Sequence, residues 1–228
     1  MITATAEARD GLPARVRLSG PVGGSKNCLM QDVIDRDGFR VNIGIVLSAD
    51  DGRLFLGRRA RGRGWQFPQG GVSRGETLEE SLFRELKEEI GLDASDVQIM
   101  GCTRQWLRYR LPARYIRRNV RPLCLGQKQR WFLLRLREPA AVIRFDATSQ
   151  PEFDHWRWVD YWQPLQEVVY FKRAVYARVL QEFGPMVFPC GLPPRPGAHC
   201  EAPVPVGSAP AAGHGEGAKP TAAKPTAW

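Results

Sequence analysis

The chain has 228 residues, 43% of them hydrophobic and 10% aromatic, which suits one globular domain with appendages. No apolar run approaches bilayer-spanning length, and the N-terminal stretch lacks the continuous apolar core of a secretory signal, so the expected compartment is the cytoplasm, with no membrane partner. Five scattered cysteines (Cys28, Cys102, Cys124, Cys190, Cys200) argue against a disulfide framework or a zinc site, while a formal charge of +9 directs attention to anionic partners.

Residues 1–31 carry no hydrophobic periodicity and read as a flexible arm, within which Met30 offers an alternative start of translation. Patterned sequence begins near Asp35. Val41 to Leu47 is β-branched and alternating, so a strand is expected; Asp50-Asp51-Gly52 is a turn signal and Leu54 to Gly57 resumes a strand. Arg58 to Gly64 is a basic, Gly-rich loop. Trp65 to Phe67 is a short strand, broken by Pro68 and Gly70-Gly71. Leu78, Leu82, Leu86 and Ile90 recur every four residues, which predicts a helix with Gly91 as its C-cap. Further strands are expected at Val97–Thr103, Leu123–Gly126, Trp131–Leu136 and Phe153–Val159, and a last helix at Phe171–Phe183. From residue 185 to 228 Pro, Ala and Gly dominate, and such a tail cannot bury enough surface to offset its ordering entropy, so it is expected to be disordered. The domain is therefore placed at residues 35–184. Its order of strands, central helix, strands and final helix predicts an α+β fold, a mixed sheet sandwiched between helices.

Charge is unevenly spread. Gly101 to Arg137 contains no Asp or Glu, yet holds Arg104, Arg108, Arg110, Arg114, Arg117, Arg118, Arg121, Lys128, Arg130, Arg135 and Arg137. Trp106, Tyr109, Tyr115 and Trp131 interleave with them, a pattern that favours a polyanion over a merely solvated face.

The predicted central helix carries the chemistry. Glu85 lies three residues before Glu88 and four before Glu89, so all three project from neighbouring positions. Like charges so placed repel, and a hard divalent cation such as Mg²⁺ or Mn²⁺ would convert the repulsion into ligation. The 23 residues from Gly70 to Leu92 follow the pattern G-x5-E-x7-R-E-apolar-x-E-E-x-G-apolar, set by Gly70, Glu76, Arg84, Glu85, Leu86, Glu88, Glu89, Gly91 and Leu92. At every position this resembles the box of the Nudix hydrolases, which cleave phosphoanhydride bonds. The resemblance implies that Glu85, Glu88 and Glu89 hold the metal, with a backbone carbonyl at Gly70 as a further ligand. It also implies that Arg84 orients a carboxylate by a charge-assisted hydrogen bond. Glu76 reads as a helix-start or loop-fixing group rather than a ligand.

Outside the box, Asp37-Gly38-Phe39-Arg40, Trp65-Gln66-Phe67-Pro68-Gln69, Trp106-Leu107-Arg108-Tyr109, Gly126-Gln127-Lys128-Gln129, Pro151-Glu152-Phe153-Asp154 and Phe171-Lys172-Arg173 occur in order. Together they resemble the bacterial RNA pyrophosphohydrolase branch over about Asp35 to Phe183. That branch takes pyrophosphate or phosphate from 5′-triphosphate or 5′-diphosphate RNA, leaving a monophosphate that promotes decay. By the same resemblance Arg40, Arg59, Tyr109, Phe171 and Lys172 lie near the RNA, where Arg59 and Lys172 meet phosphates and Tyr109 and Phe171 contact the first base, and Glu152 is an additional metal ligand or water-activating group. Asp154 competes with Glu152, and His155 reads as an incidental exposed residue. The carboxylates alone fit a dinucleoside polyphosphate hydrolase equally well; a silent RNA-binding module and a nucleotide-pool cleanser are weaker alternatives.

Overall fold

A computed structural model describes residues 33–62, 64–138 and 142–196. The expected arm at 1–31, the alternative start at Met30, and Cys28 and Cys200 lie outside these residues. Eight strands form one sheet: β1 (Phe39–Ser48), β2 (Leu54–Arg59), β3 (Trp65–Gln66), β4 (Gln69–Gly71), β5 (Val97–Cys102), β6 (Leu107–Arg110), β7 (Gly126–Leu136) and β8 (Phe153–Val159). The central path is β3-β2-β1-β7-β5, with β4 also on β1, β6 also on β7, and β8 also on β2. All pairings are antiparallel except β1 with β7, which runs parallel from Phe39 opposite Gly126 to Ser48 opposite Arg135.

Where Gly44–Leu47 lies beside Trp131–Leu134 the central pair is buried on both faces, which explains the unbroken apolar sequence there. Ile43, Ile45 and Leu47, with Phe132 and Leu134, pack against Leu82, Leu86 and Ile90 of α1 (Leu78–Ile90). Val46, Trp131 and Leu133 point the other way, toward Val175, Tyr176, Val179 and Phe183 of the last helix. Gly44 is required there: a Cβ would lie 2.5 Å from the Trp131 indole, which covers the backbone of β1. The sheet is thus sandwiched between α1 on one face and, on the other, α2 (Pro164–Glu167) and α3 (Arg173–Val187).

Helix α1 begins and ends where its sequence dictates. The Thr77 hydroxyl accepts from the Glu80 amide at 3.1 Å, and the Glu80 carboxylate accepts from the Thr77 amide at 2.7 Å, a reciprocal cap. Gly91 closes the helix in the left-handed region at φ 72°.

Four expectations are corrected. Leu123–Leu125 is not a strand; it is irregular chain tied to Gly38 and Leu111 by backbone hydrogen bonds, and regular pairing starts at Gly126. β6 is a strand where only a basic run was expected, with Leu107 and Tyr109 facing inward and Arg108 and Arg110 outward. The last helix starts at Arg173, after a single 3-10 turn at Tyr170–Lys172. Finally, the domain limit at Gly184 falls inside α3, and the chain from 185 to 196 is part of the packed unit. There Phe188 packs edge-on to Tyr161 at 5.1 Å and lies over Gly52, Leu192 covers Gly184, and the Trp162 indole donates to the Pro193 carbonyl at 2.7 Å. A few apolar side chains in a Pro-rich sequence suffice to hold it. The rest of the expected tail, from 197, lies outside the described residues. Among the described residues no helix is long and apolar enough to cross a membrane.

Candidate active site

Strands β3 and β4, helix α1, the loop before β8 and the turn before α3 converge on one carboxylate-rich patch. Pairing of β4 with β1 sets Gly70 opposite Ile43, directly under α1. A Cβ on Gly70 would overlap the carboxyl of Glu85, so the absent side chain makes the space that this carboxylate occupies. Glu89, one turn further along α1, is buried and accepts from the Gln69 amide at 3.0 Å. Burial pushes its pKa well up, and the charge of Glu85 pushes it further. Burial also raises Glu85, against the opposing pull of Arg84 and, less strongly, Arg40. Glu88 is half-exposed at the rim.

Arg84 organises this patch. Its Nε and Nη2 donate to Glu76 at 2.8 and 3.0 Å, Nη2 also to the Gly71 carbonyl at 2.8 Å, and Nη1 to Glu85 at 2.7 Å and Glu88 at 3.3 Å. Glu76 in turn accepts from the Ser73 amide at 3.0 Å and the Ser81 hydroxyl at 2.8 Å. It is a loop-fixing group, as expected, whereas the helix cap belongs to Thr77. The Arg84 guanidinium, chiefly, holds the Glu76 carboxyl down at about 2.

Glu152 sits across from α1, close enough that its charge adds to the rise at Glu89. Its Oε1 accepts from Arg59 Nε and Gln66 Nε2, each at 3.2 Å. Lys172 is buried and donates to Gln66 Oε1 at 3.0 Å. Burial, then the charge of Arg59, lowers the Lys172 ammonium to about 7. Asp154 faces the other way and pairs with Arg58 at 2.7 Å, and His155 is exposed beside the Trp65 ring. Of the two acids, Glu152 is the one whose charge reaches Glu89.

The Tyr109 ring, expected to contact the first base, is only 7% exposed. The two-residue period of β6 turns it into the core. Its hydroxyl bonds Gln127, and Phe171 and Lys172 lie on its ring at 5.7 Å each. Phe171 is half-buried. Arg40, on β1 opposite Gln127, is near enough to favour the ionised form of Glu85.

Sequence reasoning missed a set of sheet amides, Asn42, Gln66, Gln69, Gln127 and Gln129. Gln129 donates to Gln69 at 3.2 Å and to Gln127 at 3.3 Å, and Asn42 and Gln129 are buried. The available signal was the alternation Gln127-Lys128-Gln129 just ahead of the apolar run Trp131–Leu134 in the same strand. The acid-free run is also less one-signed in space than in sequence, since Asp35 pairs Lys128 at 3.5 Å and Asp37 pairs Arg108 at 3.6 Å.

The donor set suits a hard divalent cation: three oxygen-bearing side chains on one helix turn, a glycine that admits the Glu85 carboxylate, and burial, with mutual repulsion added, that raises Glu89. Among the described residues no three such side chains converge at ligating distance, and the Arg84 guanidinium stands between Glu85 and Glu88. A cation would have to displace part of that contact.

A buried carboxylate helix docked under a glycine turn, with cations facing it across the cleft, defines a metal-assisted phosphoanhydride hydrolase. The chain belongs to the Nudix family, whose domain model matches residues 38–180; such enzymes generally use divalent metals. Within the family it is 59% identical over 164 residues to the RNA pyrophosphohydrolase of Alkalilimnicola ehrlichii, covering 72% of this chain and 91% of that protein. It is 58% identical over 153 residues to the RNA pyrophosphohydrolase of Pseudomonas aeruginosa, covering 67% and 96%. Among solved structures the Escherichia coli dihydroneopterin triphosphate pyrophosphohydrolase shares the fold, with a TM-score of 0.51 at 22% identity, over 62% of this chain and 95% of that one.

Proposed function

We propose that this chain is an RNA pyrophosphohydrolase that acts in the cytoplasm, removes pyrophosphate or phosphate from the 5′ end of RNA and leaves a 5′ monophosphate. The observation that carries the reading is the facing of two groups of charge across one cleft. Glu85, Glu88 and Glu89 stand on α1, and Arg59 and Lys172 flank Glu152 opposite, joined through Gln66. The names of the two relatives supply the substrate class.

In this proposal Glu85, Glu88, Glu89, Glu152 and the Gly70 carbonyl hold Mg²⁺ or Mn²⁺, which when bound neutralises phosphate oxygens and polarises a water. Arg84 holds Glu85 in position while tied to the loop through Glu76. Arg40, Arg59 and Lys172 receive the phosphate chain. Burial lowers Lys172 to about 7, and an anion beside it favours the charged ammonium. Arg59 and Gln66 both engage Oε1 of Glu152, which orients Oε2 to accept the proton of a water attacking phosphorus. The new oxygen–phosphorus bond forms as the anhydride oxygen–phosphorus bond breaks, and the released phosphate or pyrophosphate carries away the bonding pair. Phe171 contacts the first base; Tyr109 supports Phe171 and Lys172 from beneath.

The test compares kcat/KM, in Mg²⁺, for 5′-labelled triphosphate RNA and for a dinucleoside tetraphosphate. RNA is expected to be the better substrate. Turnover of the dinucleotide alone would overturn the proposal and favour the alternative hydrolase.

A further inference from the structure

Phe171 is the ring that the sequence singles out beside Lys172, yet the most accessible aromatic surface at this corner belongs to two other residues. Tyr115 is 50% exposed and Tyr170 is 57% exposed, and both pack on Phe171, with centroids 5.6 and 5.4 Å away. They come from separate segments, Tyr115 from the 3-10 turn Ala113–Tyr115 and Tyr170 from the turn that also carries Phe171 and Lys172. Large exposed apolar side chains gathered at one place, rather than scattered, mark a binding surface.

Their surroundings fix the chemistry of the partner. The Arg114 guanidinium lies over the Tyr115 ring at 5.0 Å. Arg117, Arg118 and Arg121 follow on exposed chain. Elsewhere in the acid-free run Asp35 and Asp37 neutralise Lys128 and Arg108, but among the described residues no carboxylate pairs with Arg114, Arg117, Arg118 or Arg121. The corner therefore combines open aromatic faces with uncompensated guanidinium groups. An unstacked base needs a π-face and its backbone needs cations, and this pairing is how single strands are held without reading their sequence.

We infer that Tyr115 and Tyr170, with Arg114, form a stacking subsite for nucleotides of the RNA downstream of its 5′ end. The inference rests on the RNA pyrophosphohydrolase reading and deepens it. Phosphates enter past Lys172, the first base meets Phe171, and the strand leaves over the two tyrosines toward Arg117 and Arg118. The enzyme then prefers longer RNA to a minimal substrate, and does so independently of sequence.

The measurement is kcat/KM on a triphosphorylated dinucleotide and on a triphosphorylated octanucleotide, expressed as the ratio of the longer to the shorter. Wild-type protein favours the octanucleotide. Tyr115→Ser and Tyr170→Ser each reduce that ratio by roughly tenfold, the scale of one lost base stack. Tyr115→Phe and Tyr170→Phe retain it, because the ring and not the hydroxyl is used. Thermal unfolding of each variant, compared with wild type, separates a lost subsite from a lost fold, and the Phe variants serve if a Ser variant unfolds. Wild-type protein that fails to hydrolyse either RNA overturns the activity reading and the subsite with it. Wild-type hydrolysis with an unchanged ratio in both Ser variants overturns the subsite alone, as does a ratio lost equally in the Phe variants.

Discussion

Glu76→Gln isolates the contribution of the Arg84 clamp, because glutamine keeps the volume of the carboxyl and mimics its protonated form. Glu76 accepts four hydrogen bonds from Arg84, Ser73 and Ser81. An amide offers one oxygen, so its NH2 must face a donor. The clamp lowers the carboxyl from 4.5 to about 2, which corresponds to about 3 kcal/mol at neutral pH. A depressed carboxylate stabilises the fold above its unfolded pKa, and that stability is lost as pH falls through the folded value. The gap between wild type and variant should therefore be about 3 kcal/mol near pH 7, and less than half of that near pH 3. For a domain of this size the neutral-pH gap lowers Tm by about 6–12 °C. Urea unfolding in the presence of a chelator, repeated across this pH range, measures it. A gap that stays constant from pH 7 to pH 3, or one under about 1 kcal/mol throughout, would refute the reasoning.

Other outcomes follow from the same geometry. Glu89→Gln should lower kcat by on the order of a hundredfold or more with the fold retained, checked by Mg²⁺-dependent turnover and circular dichroism. Gly70→Ala should displace the Glu85 carboxyl and cost roughly a hundredfold in kcat, since small misplacements at a reacting centre are expensive; unchanged turnover would show that Glu85 is not needed where it stands. Tyr109→Ala should act as a core truncation, costing about 3–5 kcal/mol in unfolding free energy, and not as a selective loss of RNA binding. A chain ending at Pro196 should keep wild-type Tm, whereas one ending at Gly184 loses Phe188, Leu192 and the Trp162–Pro193 bond and should melt several degrees lower.

Helix α1 and its glutamates were legible because two independent periods coincide in one segment: Leu82, Leu86 and Ile90 mark the buried stripe, and Glu85 and Glu89 follow it one step away. Burial of those acids was not legible, since it depends on Gly70 from a strand that reads as a break. Burial of Tyr109 was not legible for another reason: Arg108 and Arg110 merge into the basic run, but on a strand neighbours face away, and outward arginines imply an inward tyrosine. Leu123–Leu125 carries enough apolar mass for a strand yet has no ladder to join. Gln66 and Gln129 are buried and Gln69 and Gln127 half-buried, although polarity alone assigns all four to the surface. Their burial follows only once pairing of β1 with β7 sets Arg40 beside Gln127 and Asn42 beside Gln129.

The parallel ladder between β1 and β7 also bears on when the enzyme becomes competent during synthesis. Phe39 must wait for Gly126, and Ser48 for Arg135, before the central pair can form. Closing so long a loop is an entropic cost met before any non-local contact repays it, and such topologies form late. The glutamates of α1 lie near the middle of that loop and would leave the ribosome before β7, but the sheet against which Gly70 and Glu85 are held is incomplete until β7 arrives. Glu152 and Lys172 follow later still. A partly synthesised chain should therefore leave RNA untouched, and hydrolysis should begin only once the sequence through α3 has emerged.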